Sequence, residues 1–193
     1  MKKRRVIIIF GFSGSGKSSL ANLIAKKYKL RVVHPSGILR DIYEKKKIDI
    51  SNTRSNNGFW ENEKGIGLLR GRLKKEKPLD LISDKILLKE VRKGNVVIDS
   101  WNLPWISKEG IKIYLKADLN VRAKRVSKRN KMSYKKVKKI ISNKDEDTYK
   151  LFKKLYDINI KKDLQVFDLI INTYNLNKTQ VFQLLCDYLK FNL

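Results

Sequence analysis

Five short apolar runs punctuate the chain: Val6 to Phe10, Arg31 to His34, Val96 to Asp99, Ile111 to Leu115 and Leu169 to Asn172. The first, VIIIF, is continuous and mostly β-branched, which suits a strand buried on both faces of a parallel sheet. Between the runs the spacing becomes helical. Leu20, Leu23, Ile24 and Tyr28 share one helical face, and Val181, Leu184, Leu185, Tyr188 and Leu189 share another near the end. Strands alternating with helices predict an α/β fold. The expected form is a five-stranded, doubly wound parallel sheet with right-handed crossovers, its ligands held at the carboxyl ends of the strands.

Two stretches break the alternation, although residues 1–193 are read as one domain with insertions. Residues 41–77 (Asp41 to Lys77) contain SNTRSNNGFWENEKGIGLLRGRLKKEKP, rich in turn formers, and are expected to form a small inserted lobe. Residues 120–162 (Asn120 to Lys162) are helical in pattern and carry 16 basic against four acidic residues, a net +12. This concentrates nearly half of the whole chain's formal charge of +26 in 43 of its 193 residues. Such a field attracts polyanions. The cations are 34 lysines and only 11 arginines, however, and phosphate readers favour arginine's fork. Two readings of the charge therefore stay open: a compositional bias or a hot or salty habitat first, and a functional polyanion-binding surface second.

The single cysteine, Cys186, excludes a disulfide framework and is expected in the core. The single histidine, His34, leaves little room for histidine-based catalysis or metal binding. The basic start MKKRRVIIIF lacks the apolar length of a secretory leader, and no segment reaches the roughly 20 apolar residues of a membrane span. A cytoplasmic monomer is expected.

The chemistry begins where the first strand ends. GFSGSGKS, Gly11 to Ser18, has glycine, four residues, glycine, lysine and serine in the spacing of a backbone phosphate cradle. Gly11, Gly14 and Gly16 are expected to adopt conformations closed to other residues, turning amide N–H groups toward one anion. A helix opening near Lys17 adds its positive end. Gly11, Phe12, Ser13, Gly14, Ser15, Gly16, Lys17, Ser18 and Ser19 are thus the candidate ATP-binding residues. Lys17 is placed to meet the β- and γ-phosphates and Ser18 to ligate Mg²⁺. VVIDS places Asp99 at the end of the third strand, the natural outer ligand of that ion.

With GFSGSGKSSLANLIAKKYKL, the segments PSGILRDI, GNVVIDSWNLPWI, IKIYLKADLNVRAKRVSKRN and DLQVFDLIINTYNL resemble the nucleoside monophosphate kinases, and among them the archaeal type of cytidylate kinase. The resemblance covers nearly the whole chain and implies a P-loop NTPase fold in which residues 41–77 bind the acceptor and residues 120–162 form a basic helical lid. It implies ATP- and Mg²⁺-dependent phosphorylation of a pyrimidine nucleoside monophosphate, CMP or dCMP. Lys17, Arg125, Arg129, Lys144 and Lys150 are the implied catalytic cations, Arg125 also binding the donor. Ser36, Arg40, Asp99 and Arg129 are the implied acceptor-binding residues. Arg122, Arg125 and Arg129 fall on one helical face.

Two departures stand out. Ser100 and Trp101 occupy positions where the family usually has glycine and arginine, and lysines stand for its later lid arginines. A lysine supplies a point charge without a fork. Arg70 and Arg72 are available as replacements. Phe59, Trp60, Trp101 and Trp105 are read as core of a small lobe before a base-stacking platform. Two further readings stay open: a nucleic-acid-binding ATPase or end kinase tracking phosphates along the basic stretch, with nonspecific nucleic acid as partner, and a homologue that binds nucleotide without transferring phosphate.

Overall fold

The structure is a computed structural model that describes residues 4–45, 67, 68, 70, 71 and 79–193. Five strands form one parallel sheet: β1 (Val6–Phe10), β2 (Arg31–Val33), β3 (Val96–Ile98), β4 (Ile111–Lys116) and β5 (Leu169–Asn172), in the order β2-β3-β1-β4-β5. The described helices are α1 (Lys17–Tyr28), α2 (Pro35–Lys45), α3 (Leu79–Lys93), α4 (Leu103–Ile106), α5 (Leu119–Asn130), α6 (Tyr134–Tyr156) and α7 (Lys178–Asn192). All five expected strands are present. The second stops one residue early and releases His34 from the ladder.

The chain divides into two compact units. The first comprises residues 1–35, 84–117 and 165–193 and holds the sheet. Central β1 is buried at every position, as its unbroken apolar run requires. Ile7 and Ile9 pack with Leu20, Ala21, Ile24 and Ala25 of α1 and with Val181, Leu185, Cys186 and Leu189 of α7. Phe10 meets Trp105, Tyr114 and Phe167 at ring separations of 4.8–5.5 Å, so half-buried Trp105 packs on the end of the central strand. Leu184 departs from the expected apolar face and is 48% exposed. Helix α7 starts at a reciprocal cap, Asn177 Oδ1 accepting from the Gln180 amide while Gln180 Oε1 accepts from the Asn177 amide.

The second unit comprises residues 36–83 and 118–164. Ala123 and Val126 of α5 pack on Val137 and Ile141 of α6. Beside this apolar seam Arg122, 5% exposed, donates to Asp145 at 2.6 and 3.4 Å. The expected helical stretch is thus a helical pair. Most of the expected lobe at 41–77, including Phe59, Trp60 and Arg72, lies outside the described residues. Among the described residues, no helix is long and apolar enough to cross a membrane.

Candidate active site

The glycine-rich motif Gly11 to Ser18 occupies the turn from β1 into α1, at the carboxyl edge of the sheet. Gly14 and Gly16 have φ of 81° and 97°, the left-handed region that glycine enters without strain. Gly11 is required for a different reason. A Cβ there would collide with Ser15 Oγ and lie 3.0 Å from the Leu115 carbonyl oxygen, so the expectation of an unusual Gly11 conformation is replaced by one of close packing. The turn closes through the Ser15 amide donating to the Phe12 carbonyl at 3.0 Å.

Ser15 Oγ is buried without a hydrogen-bond partner. An unsatisfied buried hydroxyl costs about 1–3 kcal/mol, so its presence in this loop favours a polar ligand. Ser18, in the first turn of α1, donates its hydroxyl to Asp99 Oδ2. Asp99 is 6% exposed, and its other oxygen, Oδ1, lies 2.7 Å from His34 Nδ1. One hydroxyl and one carboxylate are hard oxygen donors suited to Mg²⁺, which takes few protein ligands and completes its shell with phosphates and water. These donors and the glycine loop fit a magnesium nucleotide. Lys17 opens α1, and its ammonium lies 5.9 Å from the centroid of the Trp101 ring.

Beyond Asp99 the chain enters a buried polar network that sequence reasoning missed. Ser100 Oγ donates to Asn102 Oδ1 at 3.1 Å and accepts from the Leu103 amide at 3.3 Å. Asn102 Nδ2 donates to Asp84 Oδ1 at 2.6 Å. Ser100 thereby fixes the turn that carries Asp99 and Trp101. Asp84 sits on α3, 18 residues before its partner Asn102, where spacing gives no signal of the pairing.

The other sequence-predicted residues, except Asp99, belong to the second unit. Ser36 and Arg40 lie half-buried on α2, which opens with Pro35 at its first turn. Arg125 is half-buried on α5, and burial lowers the pKa of its guanidinium. Arg129 is exposed, its Nε donating to Asn130 Oδ1 at 2.9 Å. Arg122, which shares their face by spacing, is committed to Asp145. Lys144 is 3% exposed on α6. Lys150 is exposed and lines a groove of about 640 Å³ with Tyr149, Lys153, Lys154 and Lys161. The Arg70 Nε donates to Asp147 at 3.0 Å.

A five-stranded parallel sheet with a glycine cradle after its central strand defines a P-loop kinase fold. The solved structures agree: shikimate kinase from Bacteroides thetaiotaomicron superposes with a TM-score of 0.60 at 16% identity, covering 97% of this chain and 99% of that one. Deoxyadenosine kinase from M. mycoides gives 0.54 at 16% identity, covering 96% and 99%. Residues 6–175 match the cytidylate kinase-like family. The chain is 34% identical over 186 residues to a cytidylate kinase of Saccharolobus islandicus, covering 95% of this chain and 90% of that one. It is 30% identical to one of Sulfurisphaera tokodaii, covering 97% of each. The chain therefore belongs to the cytidylate kinase-like family and is an enzyme of the nucleoside monophosphate kinase class.

Proposed function

We propose that the protein transfers the terminal phosphoryl group of ATP to a pyrimidine nucleoside monophosphate, CMP or dCMP, in a Mg²⁺-dependent reaction. The observation that carries the reading is the convergence of a left-handed glycine loop, Lys17, and the Ser18–Asp99 contact at one edge of the sheet. Relatives named cytidylate kinase support the acceptor.

When bound, Mg²⁺ neutralises charge on the phosphate oxygens. The loop amides of residues 11–18 orient the donor phosphates, and the Lys17 ammonium stabilises negative charge on the group in transfer. Ser18 and Asp99 are the residues proposed to hold the ion. Arg125, Arg129, Lys144 and Lys150 are proposed to supply further positive charge to nucleotide phosphate, and Ser36, Arg40, Asp99 and Arg129 to bind the acceptor. Positioning and electrostatics dominate such a reaction, so no strong base is required. With it we propose a monomer acting in the cytoplasm.

The test is coupled turnover with ATP against each nucleoside monophosphate. The expected result is a diphosphate product that is fastest with CMP or dCMP and lost on chelating Mg²⁺. No diphosphate from any monophosphate by the folded protein would overturn the reading.

The lysine-lined groove at Tyr149 favours a second, weaker reading: nonspecific binding to nucleic acid. Its affinity should then fall about tenfold or more over a modest rise in salt. Affinity that is insensitive to salt would exclude it.

A further inference from the structure

The only histidine of the chain sits against the acid of the third strand, and the reason lies in strand register. Parallel β2 and β3 pair Val33 with Ile98 at their last positions. The Asp99 amide continues toward the Val33 carbonyl at 3.4 Å, which leaves the next residues, His34 and Asp99, side by side at the carboxyl edge. His34 Nδ1 lies 2.7 Å from Asp99 Oδ1, and its Nε2 lies 3.2 Å from the Asn22 side-chain amide. An ionised carboxylate only accepts, so Nδ1 carries the proton and donates it; Nε2 of the neutral ring then accepts, and the Asn22 amide braces it with its NH2 group turned toward the ring.

We propose that His34 is a positioning residue that fixes the Asp99 carboxylate for Mg²⁺, braced on its far side by Asn22. A carboxylate with one donor can still turn about its Cβ–Cγ bond. Two donors on opposite oxygens fix its plane, and Asp99 has two: Ser18 on Oδ2 and His34 on Oδ1. Ser18 is itself a proposed ligand of the ion. His34 is the donor that keeps its hold on Oδ1 when the serine oxygen turns to the metal, leaving Oδ2 directed at the ion. The chain of contacts closes on one helix, since Ser18 and Asn22 are four residues apart on the same face of α1. Asn22, His34, Asp99 and Ser18 thus form a ring of side chains that anchors the carboxylate to α1 from both sides. This arrangement parallels the outer partners that orient metal ligands elsewhere.

The inference rests on the reading of Ser18 and Asp99 as Mg²⁺ ligands, and its test separates the two. ATP binding is measured by calorimetry with and without Mg²⁺ for the wild type, H34A, H34N and N22A. H34A is expected to bind metal-free ATP as the wild type does, while Mg²⁺ affinity in the ATP complex falls about tenfold, the size typical of losing an outer partner of a metal ligand. H34N places an amide donor near the former Nδ1 and is expected to recover most of that loss. N22A removes only an exposed brace and is expected to show a smaller loss in the same direction. Unchanged Mg²⁺ affinity in H34A and N22A would overturn the positioning role with the metal site intact. An equal loss of metal-free ATP binding would overturn it in favour of a general structural effect. A wild type whose ATP binding ignores Mg²⁺ would remove the metal site itself, and the inference with it.

Discussion

The Lys17 ammonium lies 5.9 Å from the centroid of the Trp101 ring. An aromatic face attracts a cation without competing for phosphate, so Trp101 restrains the lysine rather than adding a second charge. A partly exposed contact of this kind contributes about 0.5–1 kcal/mol, so W101L is expected to weaken magnesium-ATP binding about two- to fivefold. W101F, which keeps a ring, is expected to retain most of the affinity in the same calorimetric titration. Equal affinity in wild type and W101L would show that the ring does not steer Lys17.

Close packing at Gly11 makes a prediction that differs from a loss of flexibility. A methyl group there meets Ser15 Oγ and the Leu115 carbonyl oxygen. Overpacking costs about 1–3 kcal/mol, and a chain of this size loses about 2–4 °C of melting temperature per kcal/mol. G11A is expected to melt lower and to bind ATP more weakly. The double variant G11A/S15A is expected to regain part of the melting temperature but not all, because the carbonyl belongs to β4 and cannot step aside. Full recovery would mean that the backbone contact is unimportant.

Arg122 and Asp145 form a buried ion pair, with side chains 6% and 10% exposed. Removing one partner of such a pair strips a buried charge of its closest counter-ion and costs about 3–5 kcal/mol. R122A and D145A are each expected to shift urea unfolding by that order. R122K keeps the charge but loses the two-pronged geometry and should fall between. The double change R122M/D145L removes both buried charges together and is expected to be more stable than either single alanine variant. If it is no better, the pair's contribution lies in packing rather than charge.

How far the sequence could be read followed from the range of the interactions. Short apolar, β-branched runs marked all five strands, most plainly central β1 and β3, whose burial on both faces leaves a local pattern, while β2 and β5 are largely exposed; the glycine loop was legible because its backbone demands are local too. Arg122 shows where this ends. Its spacing to Arg125 and Arg129 placed it on a shared charged face, yet its partner Asp145 lies 23 residues on, and nothing local distinguishes a buried arginine from an exposed one. The same holds for His34, whose role comes from a strand register 65 residues away, and for Ser100, Asn102 and Asp84. Leu184 misled in the opposite direction, an apolar residue at helical spacing that stays exposed because α7 buries a narrower stripe.

Glu90 on α3 ties the edge strand β2 to the helix, accepting from Arg31 and from Lys93, each at 2.5 Å. The hydrogen bond from Lys93, then that from Arg31, holds its carboxyl below the ordinary glutamate pKa. The native state therefore takes up the proton less readily than the unfolded chain does. The stabilisation is fully present above the unfolded value of about 4.3 and disappears as pH falls through the lower native value. Both cations are largely open to water, which limits the contribution to about 0.5–1 kcal/mol. E90Q is accordingly expected to unfold at slightly lower urea than the wild type at pH 7, with the gap closing as pH falls through that window and narrowing at high salt. A gap that persists unchanged at acid pH would assign the loss to packing and hydrogen bonding rather than to the charge.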